Sequence, residues 1–201
     1  MSENRDESVR IRPLGQPGDL GWVIMAHGEI YHREYGWNSE MEALIARIVT
    51  DYADEHDGAR EAAWIAEMDG RRAGCVFCIR DREDSAGSTA KLRVLLVDPA
   101  ARGRGVGAAL VDECLRFARS AGYRKVTLWT NDVLVSARKI YQSRGFRLVS
   151  EEAHHSFGRD LVGQFWEVEL ADQTGRGAPQ RRQRRAASPA AAPYEPPKIT
   201  A

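Results

Sequence analysis

The chain has 201 residues, of which 43% are hydrophobic and 29% charged, a composition typical of a globular protein with one main domain. Its formal net charge is zero, but six cationic and only two acidic residues follow position 170, so the preceding part is mildly acidic. That charge balance disfavours a duplex-DNA-binding face on the domain and favours a cationic substrate such as an amine.

The two ends of the chain differ from its middle in composition. Residues 1–8 are polar, and residues 171–201 are rich in Arg, Pro and Ala with few large apolar groups, so we expect both segments to be disordered around a domain at 9–170. The tail either solvates the protein or makes weak electrostatic contact with nucleic acid. No stretch predicts a signal peptide or a membrane span, which favours a cytoplasmic protein.

Two helices are predicted before most of the sheet. Residues 9–14 are typical of a short first strand, and Asp19 is placed to cap a helix that runs to Tyr35 and ends at Gly36. Ser39 begins a capping-box pattern, after which apolar residues recur at helical spacing as far as Tyr52. The second helix is the strongest local prediction in this half.

The middle of the chain predicts a hairpin and a buried strand. Residues 62–68 and 71–80 flank Asp69 and Gly70, a dipeptide that favours a tight turn with positive φ. After a polar loop, residues 91–97 form an apolar run of strand length that ends at Asp98 and Pro99.

The second half alternates helices and strands. A helix is predicted from Val106 to Gly122, a strand around residues 126–128, a helix over 134–144, and strands over 146–149 and 165–170. The elements together predict an α/β domain with a mixed sheet of about seven strands and about four helices. No internal repeat is present in the sequence.

Three cysteines do not form a disulfide framework, and two of them are spaced as Cys75-x-x-Cys78. In a strand, residues three apart point to opposite faces, so these two thiols cannot share a metal. We therefore predict small buried side chains and no metal site.

The glycine-rich run over residues 102–107 is the strongest chemical signal. It lies between a predicted strand and a predicted helix, where glycines let the backbone approach a bulky anion and helix N–H groups cradle phosphate. It lacks the ending of a P-loop, and the acidic residue and βαβ repeat of a dinucleotide fold are missing. Glycine in a purely structural turn is the alternative.

The strand, the pattern Arg102-x-x-Gly105-x-Gly107 and the following helix resemble the acyl-CoA-binding motif of GNAT acyltransferases. Three downstream features resemble the second half of that family: the strand end at 127–131, the helix start at 136–137, and Tyr141-x-x-x-Gly145-Phe146. Residues 9–170 are particularly similar to GNAT domains fused behind MarR-type repressors, including the segment 154–158. We expect no repressor half and no DNA regulation here, because eight residues precede the first strand.

The resemblance implies a mostly antiparallel GNAT sheet with a V-shaped opening, acetyl-CoA as co-substrate and an N-acetyltransferase activity. It implies that backbone amides of one strand face the thioester carbonyl, where they stabilise the charge of the transition state. The predicted cofactor-binding residues are Leu95, Leu96, Val97, Arg102, Gly103, Arg104, Gly105, Val106, Gly107 and Asn131. A helix–strand cap is the alternative role for Asn131.

Tyr141 matches the general acid of the family, a phenol that protonates the departing thiolate. Without the motif, a tyrosine at the boundary of the core is the alternative. The resemblance also implies a base that deprotonates the amine, but the strand entering the motif carries Lys91, Leu92 and Arg93 where many members have a carboxylate. The remaining candidates are Glu29, Glu34, Glu67 and the pair His154 and His155.

Tyr31, Tyr35, Trp37 and Trp64 are candidates for the walls of an acceptor pocket, with core packing as the alternative for Trp64. The acceptor is predicted to be a primary amine of a small molecule, peptide or protein, and a homodimer is possible in this family. Two other functions stay open: an acyl-CoA-binding sensor with weak catalysis, and a protein that binds a polyanion or a partner through its tail.

Overall fold

The computed structural model describes residues 9–170. The predicted disordered segments 1–8 and 171–201, and with them the nucleic-acid contact of the tail, lie outside the described residues. Seven strands and four α-helices are present in this range: β1 Arg10–Pro13, α1 Asp19–Tyr35, α2 Ser39–Glu55, β2 Ala62–Met68, β3 Arg71–Arg80, β4 Thr89–Val97, α3 Val106–Ser120, β5 Lys125–Asn131, α4 Val135–Ser143, β6 Arg147–Ser156 and β7 Arg159–Glu169.

The strands form one sheet in the order β1-β2-β3-β4-β5-β7-β6. Among these seven strands only the β4–β5 pair is parallel, and every other neighbouring pair is antiparallel. The prediction of a mixed, mostly antiparallel seven-stranded sheet with four helices is confirmed.

The helices cover the sheet from two sides. One buried cluster joins α3 and α4 to one face of the sheet, and a second cluster joins α1 and α2 to the other face. Cys78 belongs to the first cluster and Cys75 to the second, so the prediction that their side chains lie on opposite faces is confirmed. No helix of residues 9–170 has the length and apolar character needed to cross a membrane.

The N-cap of each of the first two helices lies one residue before the predicted cap. Gly18 in the left-handed region precedes α1, and Asp19 is its first residue. The Asp19 carboxylate accepts hydrogen bonds from Arg12, Arg72 and the preceding loop backbone, which makes it the centre of a buried ionic network and not a helix cap. In α2 the cap is Asn38, whose side chain accepts from the amide of Glu40.

The last two strands are much longer than predicted. Sequence patterns indicate strands over 146–149 and 165–170, whereas β6 and β7 form a hairpin that turns at Phe157 and Gly158. β6 is an edge strand whose side chains are nearly all exposed, so its polar residues carry no alternating apolar pattern. This difference places His154 and Ser156 within the sheet and not in a loop.

Candidate active site

The sheet opens between β4 and β5. Their parallel pairing covers residues 89–91 of β4 and residues 125–127 of β5. Beyond these pairs β5 continues against β7 while β4 continues against β3. The C-terminal halves of the two parallel strands therefore diverge, as the predicted V-shaped opening requires.

A cleft of about 390 Å³ lies at this opening, bounded by β4, the start of α3 and the start of α4. Of the ten predicted cofactor residues, eight line it and Arg104 and Asn131 do not. The wall is completed from α1 by Tyr31 and Tyr35 and from the α4 region by Leu134, Ala137 and Ile140. The eight predicted cofactor residues that line the cleft are Leu95, Leu96, Val97, Arg102, Gly103, Gly105, Val106 and Gly107.

The glycine-rich turn forms the floor of the cleft next to α3. Gly103 and Gly105 have φ of 76° and 80°, and a Cβ built on either glycine has no atom of residues 9–170 within 4 Å apart from its own chain neighbours. Gly105 is also the N-cap of α3, so the first N–H groups of a 15-residue helix open toward this space. Backbone N–H groups and the positive end of the helix dipole together favour an anion here.

β4 contains a bulge beside the cleft, for which no local sequence pattern provides a signal. Against β3, Cys75 pairs with Leu96 and Phe77 pairs with Arg93, which leaves one extra residue on β4. Val94 takes up this residue with φ of 57°, a strained value for a β-branched side chain. The thiol of Cys75 donates to the carbonyl oxygen of Val94 at 3.3 Å and so supports the bulge from the buried side.

Tyr141 lies in α4 next to Ile140 of the cleft wall, but it belongs to the buried core cluster and does not itself line the cleft. Its side chain is 4% exposed and packs against the ring of Phe146, with centroids 5.7 Å apart. Burial raises the pKa of Tyr141 far above its usual value, and the phenol of Tyr31 adds to the shift. The hydroxyl therefore stays protonated at neutral pH.

The side chain of Asn131, at the end of β5, is bonded to β6, while its backbone carbonyl accepts from the amide of Leu134, the N-cap of α4, at 3.0 Å. Its side-chain oxygen lies 2.9 Å from Nε2 of His154, and Nδ1 of His154 lies 3.0 Å from the hydroxyl of Ser156. Asn131 is 1% exposed, while the ring of Trp129 packs on His154 at 5.3 Å. Burial lowers the pKa of His154.

The aromatic residues divide between two places. Trp37 packs on Phe157 at 4.9 Å and on Tyr31 at 5.0 Å, which connects the β6–β7 turn to the cleft wall through the α1–α2 connection. Trp64 packs instead on Phe117 in the cluster beneath α3. The alternative interpretation as a core residue therefore describes Trp64, which is not part of the pocket wall.

The carboxylate candidates for a base have different surroundings. Glu29 is exposed on α1, and Glu67 pairs with Arg12 at 2.7 Å on the outer strands of the sheet. Glu34 pairs with Arg102 at 2.8 Å and so lies at the edge of the cleft. His155 is exposed and bonds to Asp160. Within residues 9–170 no group of three or more His, Cys, Asp or Glu is arranged to hold a metal.

Comparison with known proteins gives one matching family model, described as the acetyltransferase (GNAT) family, over residues 25–146. Human N-acetylaspartate synthetase is 37% identical over 92 residues, which cover 46% of this chain and 30% of that protein. Rat N-acetyltransferase family 8 member 2 is 34% identical over 126 residues, which cover 61% of this chain and 53% of that protein. The chain thus spans between about a third and a half of the length of these relatives.

Solved structures share the fold over most of the chain. The Salmonella typhimurium protein yncA, solved with its cofactor acetyl-CoA, has a TM-score of 0.66 at 18% identity and covers 86% of this chain and 98% of that one. A ribosomal-protein-alanine N-acetyltransferase from Brucella melitensis has a TM-score of 0.66 at 20% identity, over 80% and 99% of the two chains. At these identities the likeness concerns the fold.

Proposed function

We propose, because this chain belongs to the GNAT family of acetyltransferases, that the domain at residues 9–170 transfers an acetyl group from acetyl-CoA to a primary amine. Acetyl-CoA, when bound, supplies the acetyl group as a thioester and presents a pyrophosphate. The observation that carries the proposal is the glycine-rich turn, which opens into the cleft at the N-terminus of α3.

The turn fits a pyrophosphate because of what its glycines leave open. Gly103 and Gly105 line the cleft, open space surrounds the position that a Cβ would occupy at either residue, and both backbones have positive φ, which glycine adopts at little cost. Arg102 lines the same cleft and supplies a positive charge. We assign this turn, with the cleft-lining residues of β4 and α3, to cofactor binding.

The bulge in β4 supports a role for backbone amides in catalysis. A β-bulge disrupts the regular ladder and redirects the backbone groups beside it. Here the bulge at Val94 immediately precedes Leu95, Leu96 and Val97, the β4 residues of the cleft wall. We propose that amides of this segment donate to the oxygen on which negative charge develops, a contribution that is stronger in the transition state than in the ground state.

Tyr141 is proposed as the general acid. Its raised pKa makes it a weak donor toward water, but the same buried environment disfavours a thiolate and raises the proton affinity of that group. By the ordinary pKa values this transfer from the phenol to the leaving thiolate is mildly uphill, and it takes place within a short hydrogen bond as the C–S bond breaks. The phenol also remains protonated between turnovers.

The acceptor is proposed to be an amine that reaches the cleft from the side of α1, where Tyr31 and Tyr35 form the wall. The names of the relatives include acetyltransferases for an amino acid and for a ribosomal protein, so a small molecule and a peptide are both kept as acceptor classes. The narrower resemblance to domains fused to MarR-type repressors, the cytoplasmic location and a homodimer stay predictions.

The test is the thermal stability of the full chain with and without excess acetyl-CoA. At about 100 times its dissociation constant the ligand adds roughly 2.7 kcal/mol to the free energy of unfolding and raises the melting temperature. Gly105→Glu places a negative charge and bulk in front of α3, so this variant should lose the rise. No rise in the parent protein would contradict the proposed function.

Gly87→Glu is the matched control for this substitution. Gly87 also has a positive φ, of 62°, and open space around a built Cβ, but it lies in the loop before β4 and does not line the cleft. It should share the backbone strain of Gly105→Glu and keep the ligand-dependent rise. Equal loss in both variants would assign the effect to strain and remove the turn from the binding site.

A further inference from the structure

The side chains of Ser156, His154 and Asn131 form a continuous chain of hydrogen bonds on β6 and β5, and none of the three residues lines the cleft. We propose that this chain is the proton relay that deprotonates the amine acceptor, with the hydroxyl of Ser156 facing the acceptor and His154 accepting the proton. The inference rests on the proposed acetyl transfer and names its missing base.

The polarity of the relay follows from the amide of Asn131. Its Oδ1 only accepts, so the Nε2 of His154 that lies 2.9 Å away must carry a proton and donate. In the neutral ring Nδ1 is then the acceptor, and the hydroxyl of Ser156 donates to it at 3.0 Å. A base needs this arrangement, in which an accepting nitrogen faces a hydroxyl and the opposite N–H is held.

The relay lies on the face of the sheet that α1 and α2 cover. His154 pairs across the hairpin with Leu161, which belongs to the same buried cluster as Leu96 and the partly buried Tyr31 and Leu134 of the cleft wall. Ser156 shares the face of His154, since residues two apart in a strand point the same way.

A second path of contacts leads from the relay to the cleft. Phe157 follows Ser156 and packs on Trp37, which packs in turn on Tyr31 of the cleft wall. The amide of Phe157 also donates to Glu40 at 2.7 Å, and the amide of Asn38 donates to the Phe157 carbonyl at 3.1 Å. The β6–β7 turn is thus fixed to the α1–α2 connection beside the cleft.

The proton balance of the step is complete without another reactant. An ammonium acceptor gives one proton to the oxygen of Ser156 while the hydroxyl proton of Ser156 moves to Nδ1 of His154. The free amine then forms a C–N bond to the acetyl carbon and the C–S bond breaks. Tyr141 gives its phenol proton to the thiolate, and the second proton that leaves the nitrogen as the amide forms restores that phenol by way of solvent. The net products are amide, thiol and one proton released from His154 to solvent.

The charges around His154 suit a base that starts neutral. Burial lowers its pKa, His155 acts in the same direction, and the carboxylates of Glu152 on β6 and Asp132 after β5 act in the opposite direction. The facing residue on β7, Leu161, is apolar, and the packed ring from β5 is that of Trp129. The ring is therefore free to accept a proton at neutral pH, and the imidazolium formed is stabilised by Asn131 and the two carboxylates.

The kinetic test uses 2-phenylethylamine as the acceptor probe and compares His154→Gln with His155→Gln over a range of pH. Glutamine keeps hydrogen-bonding groups but cannot carry the proton, so kcat/KM of His154→Gln at neutral pH should fall by about 10²- to 10⁴-fold. Its remaining rate should rise with pH in proportion to the free amine. His155, exposed and outside the relay, is the matched control: His155→Gln should keep the rate of the parent at neutral pH and should only slightly raise the pKa of His154, because it removes a neighbouring like charge.

The hydroxyl of Ser156 gives a second kinetic comparison. Ser156→Ala should show most of the loss seen in His154→Gln, and Ser156→Thr should restore the rate because it restores the hydroxyl. A purely structural role would affect KM or stability in both variants without the change in pH profile. Identical profiles for His154→Gln, His155→Gln and the parent would overturn the relay.

NMR of the histidine ring nitrogens in the full chain gives a readout that needs no acceptor. At neutral pH His154 should be neutral with its proton on Nε2, and Ser156→Ala should shift the resonance of Nδ1. A charged ring or a proton on Nδ1 would overturn the relay. A missing acetyl-CoA response in the melting temperature of the parent would overturn the proposed function instead, so the two failures are distinguishable.

Discussion

The two sides of the cleft are built in different ways. The cofactor side consists of adjacent residues of the chain, from the end of β4 through the glycine-rich turn into α3. The proposed acceptor side combines α1, whose Tyr31 and Tyr35 line the cleft, with the α1–α2 connection and the β6–β7 hairpin, which are distant in sequence and meet α1 through packing. The first side depends on local backbone conformation and the second on long-range contacts.

Because of this difference, the two sides should respond differently to amino-acid substitutions. A substitution on the cofactor side acts directly on a turn whose torsions only glycine adopts easily. A substitution on the acceptor side acts through packed rings and hydrogen-bonded pairs, so its effect is distributed over several elements. Binding and chemistry should therefore be separable by mutation.

The largest effect is expected at Tyr141, where chemistry can be removed without binding. Tyr141→Phe keeps the ring that packs on Phe146 and removes only the hydroxyl, so kcat should fall by about 10²- to 10⁴-fold while the dissociation constant of acetyl-CoA stays nearly unchanged. Steady-state kinetics with a fast acceptor and isothermal titration give the two quantities.

Tyr123→Phe is the matched control for this change. Tyr123 is also buried, at 3% exposure, and its hydroxyl donates to the carbonyl of Arg60 at 2.9 Å, away from the cleft. It should lose some stability and keep kcat. Unchanged kcat in Tyr141→Phe across fast acceptors would remove the assignment of the general acid.

An intermediate effect, on the stability of the fold, is expected at His27. This residue lies in α1, the helix that carries Tyr31 and Tyr35 of the cleft wall. Burial lowers the pKa of His27 to about 4, and its ring packs on Tyr31 at 5.6 Å. The unfolded state binds a proton near pH 6.5, so stability from the neutral folded ring is complete above that pH and is lost as pH falls toward about 4. The loss is about 3 kcal/mol, from the difference between the two pKa values.

The measurement is the free energy of unfolding by urea as a function of pH for the parent and for His27→Leu. The leucine variant cannot titrate, so its stability should change less with pH across this window than that of the parent. Equal slopes in the two proteins would contradict the buried neutral ring. Because other groups titrate alike in both proteins, the difference in slope isolates His27.

The fold was predictable wherever a local pattern determined it. The turn at Asp69 and Gly70 has the predicted positive φ at both residues, and the predicted hairpin strands match β2 and β3. The sequence pattern indicates only the ends of the β6–β7 hairpin, because an exposed edge strand shows no apolar alternation. The caps of α1 and α2 were each displaced by one residue, and Asp19 is engaged by the distant Arg12 and Arg72.

The candidate site divides in the same way. Residues 95–97 and 102–107 could be named from one contiguous motif, and all but Arg104 line the cleft. The strained Val94 carries no sequence signal, because no propensity predicts a valine with positive φ. His154 was a candidate, but its link to Asn131 joins residues 23 positions apart and required the register of three strands.

The smallest effect is expected at an ion pair that connects the two sides. Arg102 belongs to the cofactor turn and Glu34 to α1, and they pair at 2.8 Å with side chains that are 42% and 23% exposed. Such a pair contributes about 0–1 kcal/mol. In Glu34→Gln the Arg102 guanidinium has no ion pair to break before it binds a phosphate of the cofactor. Acetyl-CoA should therefore bind up to about fivefold more tightly at low salt.

Titration calorimetry at low and high salt checks this prediction, because screening should reduce the gain as ionic strength rises. Glu55→Gln is the matched control, since Glu55 pairs with Arg82 at the same distance but does not line the cleft. Weaker binding in Glu34→Gln alone would mean that Glu34 holds Arg102 in its binding position. The α1 helix of the acceptor side would then be part of the cofactor site, and the two sides would not be separable by mutation.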